Sequence, residues 1–265
     1  MSPPGRPKGE HRSATRERRT VSLSENENCR NRGGAMQPRA VATGAPGLSL
    51  WLCPLFATAT QLERMASTLS DAECARAARF GTTELRSRYI VGRATLRSLL
   101  AAAIGRSAAD VPLRRGSRGR PELDLPEPPL DFNVSHTRDV ALIGFLRAGG
   151  RARVGVDIEH RDRQLGVDRL ARRYLTVQER ERFERLDAEG RRQHFIELWT
   201  CKEAISKATG AGLSAPMGKI GIELDNGPRV AAGPPPYSPP DWELWPVRDI
   251  GGHIATAAIW TRPAD

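Results

Sequence analysis

Apolar residues recur along most of the chain at the spacing of a strand or of a helix. Alternating apolar and polar positions predict strands over residues 48–56, 131–135, 140–147, 154–159, 218–224, 241–247 and 254–260. Helical spacing predicts a helix that begins at Ser70 and further helices over residues 82–104, 168–174, 176–187 and 190–209. Residues 111–131, rich in Pro, Gly and Arg, are predicted to be a loop. The similar order on both sides of Gly149-Gly150 predicts an α+β fold with two similar α/β lobes, residues 47–150 and 151–265.

Residues 1–46 lack this periodicity and carry much of the charge. They contain nine Arg or Lys against four Glu, while the whole chain has a net charge of +10. A segment that is polar, charged and aperiodic is predicted to be disordered. We therefore expect a disordered basic tail here, either dispensable or acting as a nucleic-acid-binding arm.

The remaining composition indicates a cytoplasmic protein. The chain has four cysteines, all widely spaced and without a CxxC pair, which argues against a disulfide framework and against a zinc site. No stretch reaches the roughly 18–20 apolar residues that cross a membrane. We expect a protein of the reducing cytoplasm that does not insert into a membrane.

The strand over residues 154–159, with the sequence VGVDIE, carries the first candidate chemistry. Because side chains alternate across a strand, Asp157 and Glu159 face one side, opposite the valines and Ile158. Two carboxylates on one face suit a hard cation such as Mg²⁺, which binds oxygen ligands. The same pattern also fits an ordinary strand with a solvated acidic face.

The helix over residues 190–209 adds a third carboxylate and two lysines. Trp199, Glu203 and Lys207 are spaced i, i+4 and i+8 and so lie on one helical face. The chain has only four lysines among its 41 basic residues, and both Lys202 and Lys207 lie in this helix. Since lysine offers phosphate a compact charge where arginine offers a planar fork, this choice indicates phosphate binding. The alternative is a surface helix with Glu–Lys pairs.

Other polar positions give weaker signals. Ser135-His136 ends a predicted strand and would suit a phosphate or nucleotide, although a histidine in a turn is often structural. Arg120, in a Gly-Arg-Pro loop, is compatible with ligand binding or with a surface turn. Arg76, Arg79, Arg86 and Arg88 form a basic cluster on the early helices. The chain contains neither a P-loop nor a GxGxxG motif.

Taken in order, these segments resemble the larger, surfactin-synthetase-activating class of 4′-phosphopantetheinyl transferases. The similarity covers residues 48–260, and its two specific motifs are separated by about 45 residues. The matching segments are Gly119-Arg-Pro121, Asn133-Val-Ser-His136, Gly155-Val-Asp-Ile-Glu159, Trp199-Thr-Cys-Lys-Glu-Ala-Ile-Ser-Lys207 and Gly210-Ala-Gly-Leu213. Where other members commonly have lysine, this chain has Arg76 and Arg120. Residues 1–46 have no counterpart in the family.

The resemblance implies a pseudo-dimer of two lobes with coenzyme A in the cleft between them. It implies Mg²⁺ held by Asp157, Glu159 and Glu203. It implies contacts with coenzyme A, including its 3′-phosphate and pyrophosphate, from Lys202, Lys207, Ser135, His136, Arg120, Arg88 and Arg76.

The resemblance further implies the reaction. The serine hydroxyl of an apo carrier protein would attack the β-phosphate of coenzyme A and release 3′,5′-ADP, with Lys207 adding positive charge and Glu203 accepting the proton directly or through a water. The metal would neutralise charge on the pyrophosphate. Carrier proteins of this kind are typically acidic, and one chain that supplies both sides of the cleft would act as a monomer.

Two other functions remain open at this stage. A nucleic-acid-binding protein would use the basic tail but leaves the three carboxylates unexplained. Another magnesium-dependent nucleotide enzyme, such as a pyrophosphatase or nucleotidyl transferase, would use the same carboxylates without a carrier protein. A family member that has lost activity is a further alternative, but no motif residue is missing.

Overall fold

Two antiparallel sheets, one from each half of the chain, form the framework of the computed structural model, which describes residues 37–116 and 118–263. The strands are β1 (Arg39–Val41), β2 (Leu48–Pro54), β3 (Leu113–Arg115), β4 (Pro121–Leu123), β5 (Asp131–Thr137), β6 (Val140–Leu146), β7 (Ala152–His160), β8 (Gly221–Glu223), β9 (Arg229–Ala232), β10 (Trp242–Pro246) and β11 (His253–Thr261). The helices are α1 (Ala59–Ala66), α2 (Asp71–Ala77), α3 (Thr83–Ile104), α4 (Val167–Tyr174), α5 (Val177–Glu184) and α6 (Ala188–Thr209).

The two halves use the same kinds of element. The first contributes a sheet of order β1-β2-β6-β5 and the hairpin β3-β4, and the second contributes a sheet of order β10-β11-β7 and the hairpin β8-β9. Each half also has one helix of 22 residues, α3 or α6, which ends at a left-handed glycine. No helix in the described ranges is long and apolar enough to cross a membrane.

The two sheets meet where the edge strand β5 faces the edge strand β7. Every second side chain of β5 accepts a hydrogen bond from a backbone N–H of β7, which would otherwise lack a partner. The pairs are Val154 N to Asp131 Oδ2 (2.7 Å), Val156 N to Asn133 Oδ1 (3.0 Å) and Ile158 N to Ser135 Oγ (3.4 Å). The period of two along a strand puts these three side chains on one face. We call this row of bonds the β5–β7 seam.

Strand β7 buries one face in the core and presents the other to α6. Val154, Val156 and Ile158 pack with Leu50 and Leu142 from the first sheet. On the opposite face α6 crosses at Gly155, where an added Cβ would overlap the carbonyl oxygen of Ala204. Only glycine permits this approach, which brings the C-terminal half of α6 next to Asp157.

The structure confirms a mixed helix and sheet fold, together with the alternation predicted along β7. The structure also has elements that were not predicted. These are the helix α1, the strand β9, and the hairpin β3-β4 inside the predicted loop over residues 111–131. The strand predicted over residues 218–224 is limited to Gly221–Glu223.

The predicted boundary of the basic tail is wrong at its C-terminal end. Residues 39–41 form β1, which pairs with β2 from Arg39 opposite Leu52 to Val41 opposite Leu50. Val41 and Ala45 are buried in the core. Pairing with β2 and burial of two small apolar side chains therefore extend the fold beyond the predicted limit at residue 47. The prediction for residues 1–36 lies outside the described residues.

The seam yields a prediction on stability. Asn133→Ala would leave the buried Val156 N–H without an acceptor, which costs about 1–3 kcal/mol of unfolding free energy. We expect a transition temperature lower by about 2–10 °C in thermal unfolding. Ser49→Ala, at an exposed position of the same sheet, is the matched control and should change it little. Equal stability of the two variants would show that the seam contributes nothing.

Candidate active site

A cleft of about 570 Å³ opens where β5, β7 and α6 meet. It brings together six of the residues predicted from the sequence. These are Ser135, His136, Asp157, Glu159, Glu203 and Lys207. Trp199, Arg138 and Arg163 complete much of its wall. A larger cavity of about 710 Å³ lies against Glu197 and Cys201 of α6 and the β10–β11 loop, and it contains none of the predicted site residues.

Asp157, Ser135 and Lys207 form a closed hydrogen-bonded triangle at the floor of the cleft. Lys207 Nζ donates to Asp157 Oδ1 at 2.6 Å and to Ser135 Oγ at 2.7 Å. Ser135 Oγ donates to the same Asp157 oxygen at 2.8 Å. The second oxygen, Asp157 Oδ2, is buried and has no hydrogen-bond partner among the described residues. One β5 residue, one β7 residue and one α6 residue are thus fixed together.

Glu159 and Glu203 both have a raised pKa, which means that their ionised forms are disfavoured in the cleft. Burial raises the pKa of Glu159, and the charge of Asp157 raises it further. Burial is also the largest cause of the raised pKa of Glu203, followed by repulsion from Asp157. Arg163 opposes this by an ion pair with Glu159. Neighbouring like charges disfavour the ionised form of a carboxyl group, so this cluster favours positive charge nearby.

These donors fit a divalent cation, although they are not arranged as a finished site. In the described part of the chain no three His, Cys, Asp or Glu side chains form a ready metal-binding group. Instead, Lys207 and Arg163 supply the positive charge that Asp157 and Glu159 require. The unpartnered Asp157 Oδ2 and the raised pKa values of both glutamates nevertheless suit a hard cation with oxygen ligands.

His136 stands at the mouth of the cleft. Its side chain is exposed on one side, yet desolvation lowers the pKa of its ring, and the charge of Lys207 lowers it further. A neutral imidazole can accept a hydrogen bond as well as donate one. His136 is therefore available to a ligand that enters the cleft.

The expectation that Lys202 contacts coenzyme A is not supported, because its ammonium group is wholly buried away from the cleft. Nζ donates to Tyr174 O at 2.8 Å, Glu179 Oε2 at 2.7 Å and Met217 O at 2.8 Å. All three donors of the ammonium are thereby used inside the protein. Lys202 ties α6 to α5 and to the segment after α6.

The expectation for Arg120 also changes. This side chain is buried, with 8 % of the residue exposed, and it does not line the cleft. Its guanidinium donates to oxygens of β5, β7 and α6. No phosphate in the cleft can reach these donors without displacing protein partners.

Arg76 and Arg88 lie outside the lining of the cleft. Arg76 is exposed on α2 and stacks over the ring of Tyr89 at 5.7 Å. Arg88 pairs with Glu84 at 2.7 Å and with Asp139 at 2.6 Å. Because Asp139 follows the cleft residue Arg138 in the β5–β6 turn, Arg88 sits close to the rim.

Sequence reasoning missed Arg163, Arg138 and Thr137 in the cleft wall. Thr137 Oγ1 donates to Glu159 Oε2 at 3.3 Å. It extends the alternation of polar residues at 131, 133 and 135, which is visible in the sequence and could have indicated a functional face of β5. Arg163 lies in the loop after β7, and no pattern singles it out among the arginines.

Clustered carboxylates beside a lysine are the groups used by enzymes that transfer phosphoryl groups with the help of a cation. A model of the 4′-phosphopantetheinyl transferase superfamily matches residues 153–258. A model of the N-terminal part of 4′-phosphopantetheinyl transferases matches residues 56–145. The chain belongs to the 4′-phosphopantetheinyl transferase superfamily, which confirms the family resemblance seen in the sequence.

Curated proteins of the same family are similar to this chain over most of their length. The 4′-phosphopantetheinyl transferase HetI of Nostoc sp. is 37% identical over 179 residues, which cover 66% of this chain and 73% of HetI. The phosphopantetheinyl transferase of Thraustochytrium sp. is 31% identical over 73% of this chain and 69% of its own. The 4′-phosphopantetheinyl transferase Sfp of Bacillus subtilis is 25% identical over 64% of this chain and 72% of Sfp.

The two lysines of α6 should respond differently to substitution. Lys202→Met leaves the buried Glu179 without its cation, and we expect a loss of about 3 kcal/mol or more in thermal or denaturant unfolding. Well below the transition, kcat/KM for coenzyme A should stay within about threefold, an expectation for a residue that does not touch the ligand. Lys207→Met should also lower stability, because it leaves the buried Asp157 without its cation, but unlike Lys202→Met it should reduce kcat/KM by about 100-fold or more. A Lys202→Met protein of normal stability and greatly raised KM would contradict this assignment.

The acidic cluster should cost the protein stability when no divalent cation is added. Because the folded state raises the pKa of Glu203, ionisation of that group destabilises the fold as pH rises from the unfolded pKa through the folded one. Glu203→Gln removes this charge. In the presence of a chelator at pH 7.5, we therefore expect the free energy of unfolding of the variant to exceed that of the wild type by about 1 kcal/mol. The difference should shrink towards pH 4. Glu181→Gln, which removes a carboxylate at an exposed position of α5, is the control and should change stability little. A Glu203→Gln protein that is less stable than wild type would contradict the prediction.

Proposed function

We propose that this chain transfers the 4′-phosphopantetheine arm of coenzyme A to a serine of an apo carrier protein and releases 3′,5′-ADP. The observation that carries the proposal is the triangle of Lys207, Ser135 and Asp157, with Glu159 and Glu203 in the same cleft. The activity named for the curated relatives supports it.

Coenzyme A is proposed to bind in this cleft, between two α/β lobes related as a pseudo-dimer. Lys207 and Ser135 at the floor and His136 at the mouth offer donors to its phosphates. Arg88 near the rim and the exposed Arg76 are proposed to approach the 3′-phosphate from the first lobe. Guanidinium groups suit this task because they bind phosphate through two parallel N–H groups.

We propose that Asp157, Glu159 and Glu203 hold Mg²⁺. The support is the unpartnered Asp157 Oδ2 and the two glutamates of raised pKa. When bound, the cation would neutralise charge on the pyrophosphate of coenzyme A. It would also relieve the repulsion among the three carboxylates, for which Lys207 and Arg163 compensate in the structure.

The residues of the cleft divide the remaining work. The hydroxyl of the carrier serine attacks the β-phosphorus of coenzyme A. A bond forms between the serine oxygen and this phosphorus, and the bond from the phosphorus to the bridging oxygen breaks, so that the oxygen leaves with 3′,5′-ADP. Glu203 accepts the proton that the hydroxyl loses, directly or through a water. Lys207 holds a fixed positive charge beside the oxygens on which negative charge develops.

The carrier is proposed to be an acidic protein. Residues 47–265 contain 32 basic against 27 acidic side chains, a modest excess that would favour association with an acidic partner. We propose a cytoplasmic monomer, since one chain supplies both β5 and β7 to the cleft. Peptidyl, acyl and polyketide carriers are all compatible with this charge.

The transfer is tested by intact-protein mass spectrometry. Purified chain, coenzyme A and Mg²⁺ should increase the mass of an apo carrier by one phosphopantetheine arm, and substitution of the carrier serine by alanine should prevent it. Asp157→Asn should lower the rate by about 100-fold or more, because it weakens both the Lys207 pair and the cation site. Arg229→Lys, at an exposed ion pair, is the control. No gain on any carrier class, or consumption of nucleotides without a carrier, would overturn the proposal.

A further inference from the structure

The guanidinium of Arg120 lies inside the protein and joins three elements. Nη2 donates to Asp131 Oδ2 at 2.6 Å, Phe132 O at 2.8 Å and Val154 O at 2.9 Å. Nη1 donates to Ala208 O at 3.3 Å and to Lys207 O. One side chain from the loop before β4 thus contacts β5, β7 and the C-terminal end of α6.

We propose that Arg120 is a positioning residue, which holds the elements carrying Ser135, Asp157 and Lys207 in the relative placement that transfer requires. This inference rests on the proposed function. The guanidinium acts on the reaction only through these neighbours, and it does not touch coenzyme A.

The first support is that Arg120 binds the elements that carry the active side chains. Lys207 presents its backbone carbonyl to Arg120 and its ammonium to Asp157 and Ser135. Val154 precedes Asp157 by three residues on β7, and Phe132 precedes Ser135 by three on β5. We call these hydrogen bonds of Arg120 the clamp. Since a strand and a helix are locally rigid, the clamp also fixes the active side chains further along the same elements.

The second support is that the clamp shares an atom with the β5–β7 seam. Asp131 Oδ2 accepts from Arg120 Nη2 and from Val154 N. Asp131 is therefore one link in a chain of hydrogen bonds that runs from α6 through Arg120 and Asp131 to β7. A change at Arg120 therefore affects the hydrogen bond between Val154 N and Asp131, which is the first bond of the β5–β7 seam; Ser135 makes the third.

The third support is electrostatic. The carbonyls of Lys207 and Ala208 belong to the last turn of α6, where carbonyls have no i+4 partner within the helix and the helix carries partial negative charge; Lys207 O also accepts from the capping Gly210 N–H. A buried cation is stabilised there, and Asp131 adds a full negative charge. Lysine could not replace this arrangement, because the three N–H groups of its ammonium cannot reach all five oxygens that surround the planar guanidinium.

Coenzyme A is excluded from Arg120 by burial. Both terminal nitrogens point at protein oxygens, and Nε is buried as well, without a partner among the described residues. A contact with the 3′-phosphate would break bonds to α6, β5 and β7 together. A role in phosphate recognition and a role in positioning therefore predict different effects of substitution.

The test compares Arg120→Lys, Arg120→Gln and the exposed control Arg114→Lys from the same hairpin. Transfer to an apo carrier is measured well below the unfolding transition, with coenzyme A and with 3′-dephospho-coenzyme A as donors. We expect kcat to fall about 10- to 100-fold in Arg120→Gln, as for misplaced catalytic groups, and less in Arg120→Lys. The KM for coenzyme A should change less than threefold, and the preference for coenzyme A over the dephospho form should be unchanged. Arg114→Lys should behave as wild type.

Two results would overturn the inference. A preference for coenzyme A that collapses in both variants would make Arg120 a ligand of the 3′-phosphate. A kcat at the wild-type level, with only a lower transition temperature, would make Arg120 purely structural. If wild type itself transfers nothing, the proposed function fails first, so the two failures are distinguishable.

Asp131→Asn keeps the question answerable if the Arg120 variants do not fold. It preserves the shape of the side chain but removes the charge that Arg120 pairs with. We expect a reduced kcat with an unchanged KM and an unchanged donor preference. A folded Asp131→Asn enzyme with wild-type kcat would contradict the clamp.

Discussion

The edge of β7 is the constraint on which the rest of the molecule depends. A sheet edge exposes backbone N–H groups that must find acceptors once they are buried. Here side chains of β5 provide them, at intervals of two residues, in place of a backbone ladder. The last of these side chains, Ser135, also donates to Asp157 and accepts from Lys207. The contact that joins the sheets is therefore continuous with the floor of the cleft.

The cleft gathers negative charge, and the fold compensates for it locally. Lys207 and Arg163 each pair with a carboxylate there, whereas the more deeply buried pair of Lys202 on α6 and Glu179 on α5 lies away from the cleft. The two lysines are five residues apart, which turns them towards different faces of the helix. One neutralises groups that a ligand would engage, and the other neutralises a carboxylate that caps α5. Two lysines on one helix thus have different roles.

This difference explains what the sequence could and could not predict. The period of two placed Asp157 and Glu159 together, and the helical period placed Glu203 beside Lys207, because both signals are local. The partners of Lys202 include carbonyls of Tyr174 and Met217, distant backbone atoms that leave no mark on the sequence. Strand β1 was assigned to the tail because three residues have no period of their own and depend on pairing with β2. Helix α1 is only eight residues long, and its apolar face, with the partly buried Leu62 and Met65, is too short to give a clear helical period.

The motifs that this chain shares with the family therefore contain, in this structure, two kinds of residue. Gly155 and Arg120 both set the placement of α6 against β7, the first by having no side chain and the second by bonding both elements. Asp157, Glu203 and Lys207 then meet in the cleft because that placement is fixed. A motif residue whose side chain is buried away from the cleft and bonded to protein oxygens supports the geometry, and one with an unpartnered atom in the cleft is available to a ligand. Burial and hydrogen-bond occupancy, rather than membership of a motif, separate the two kinds.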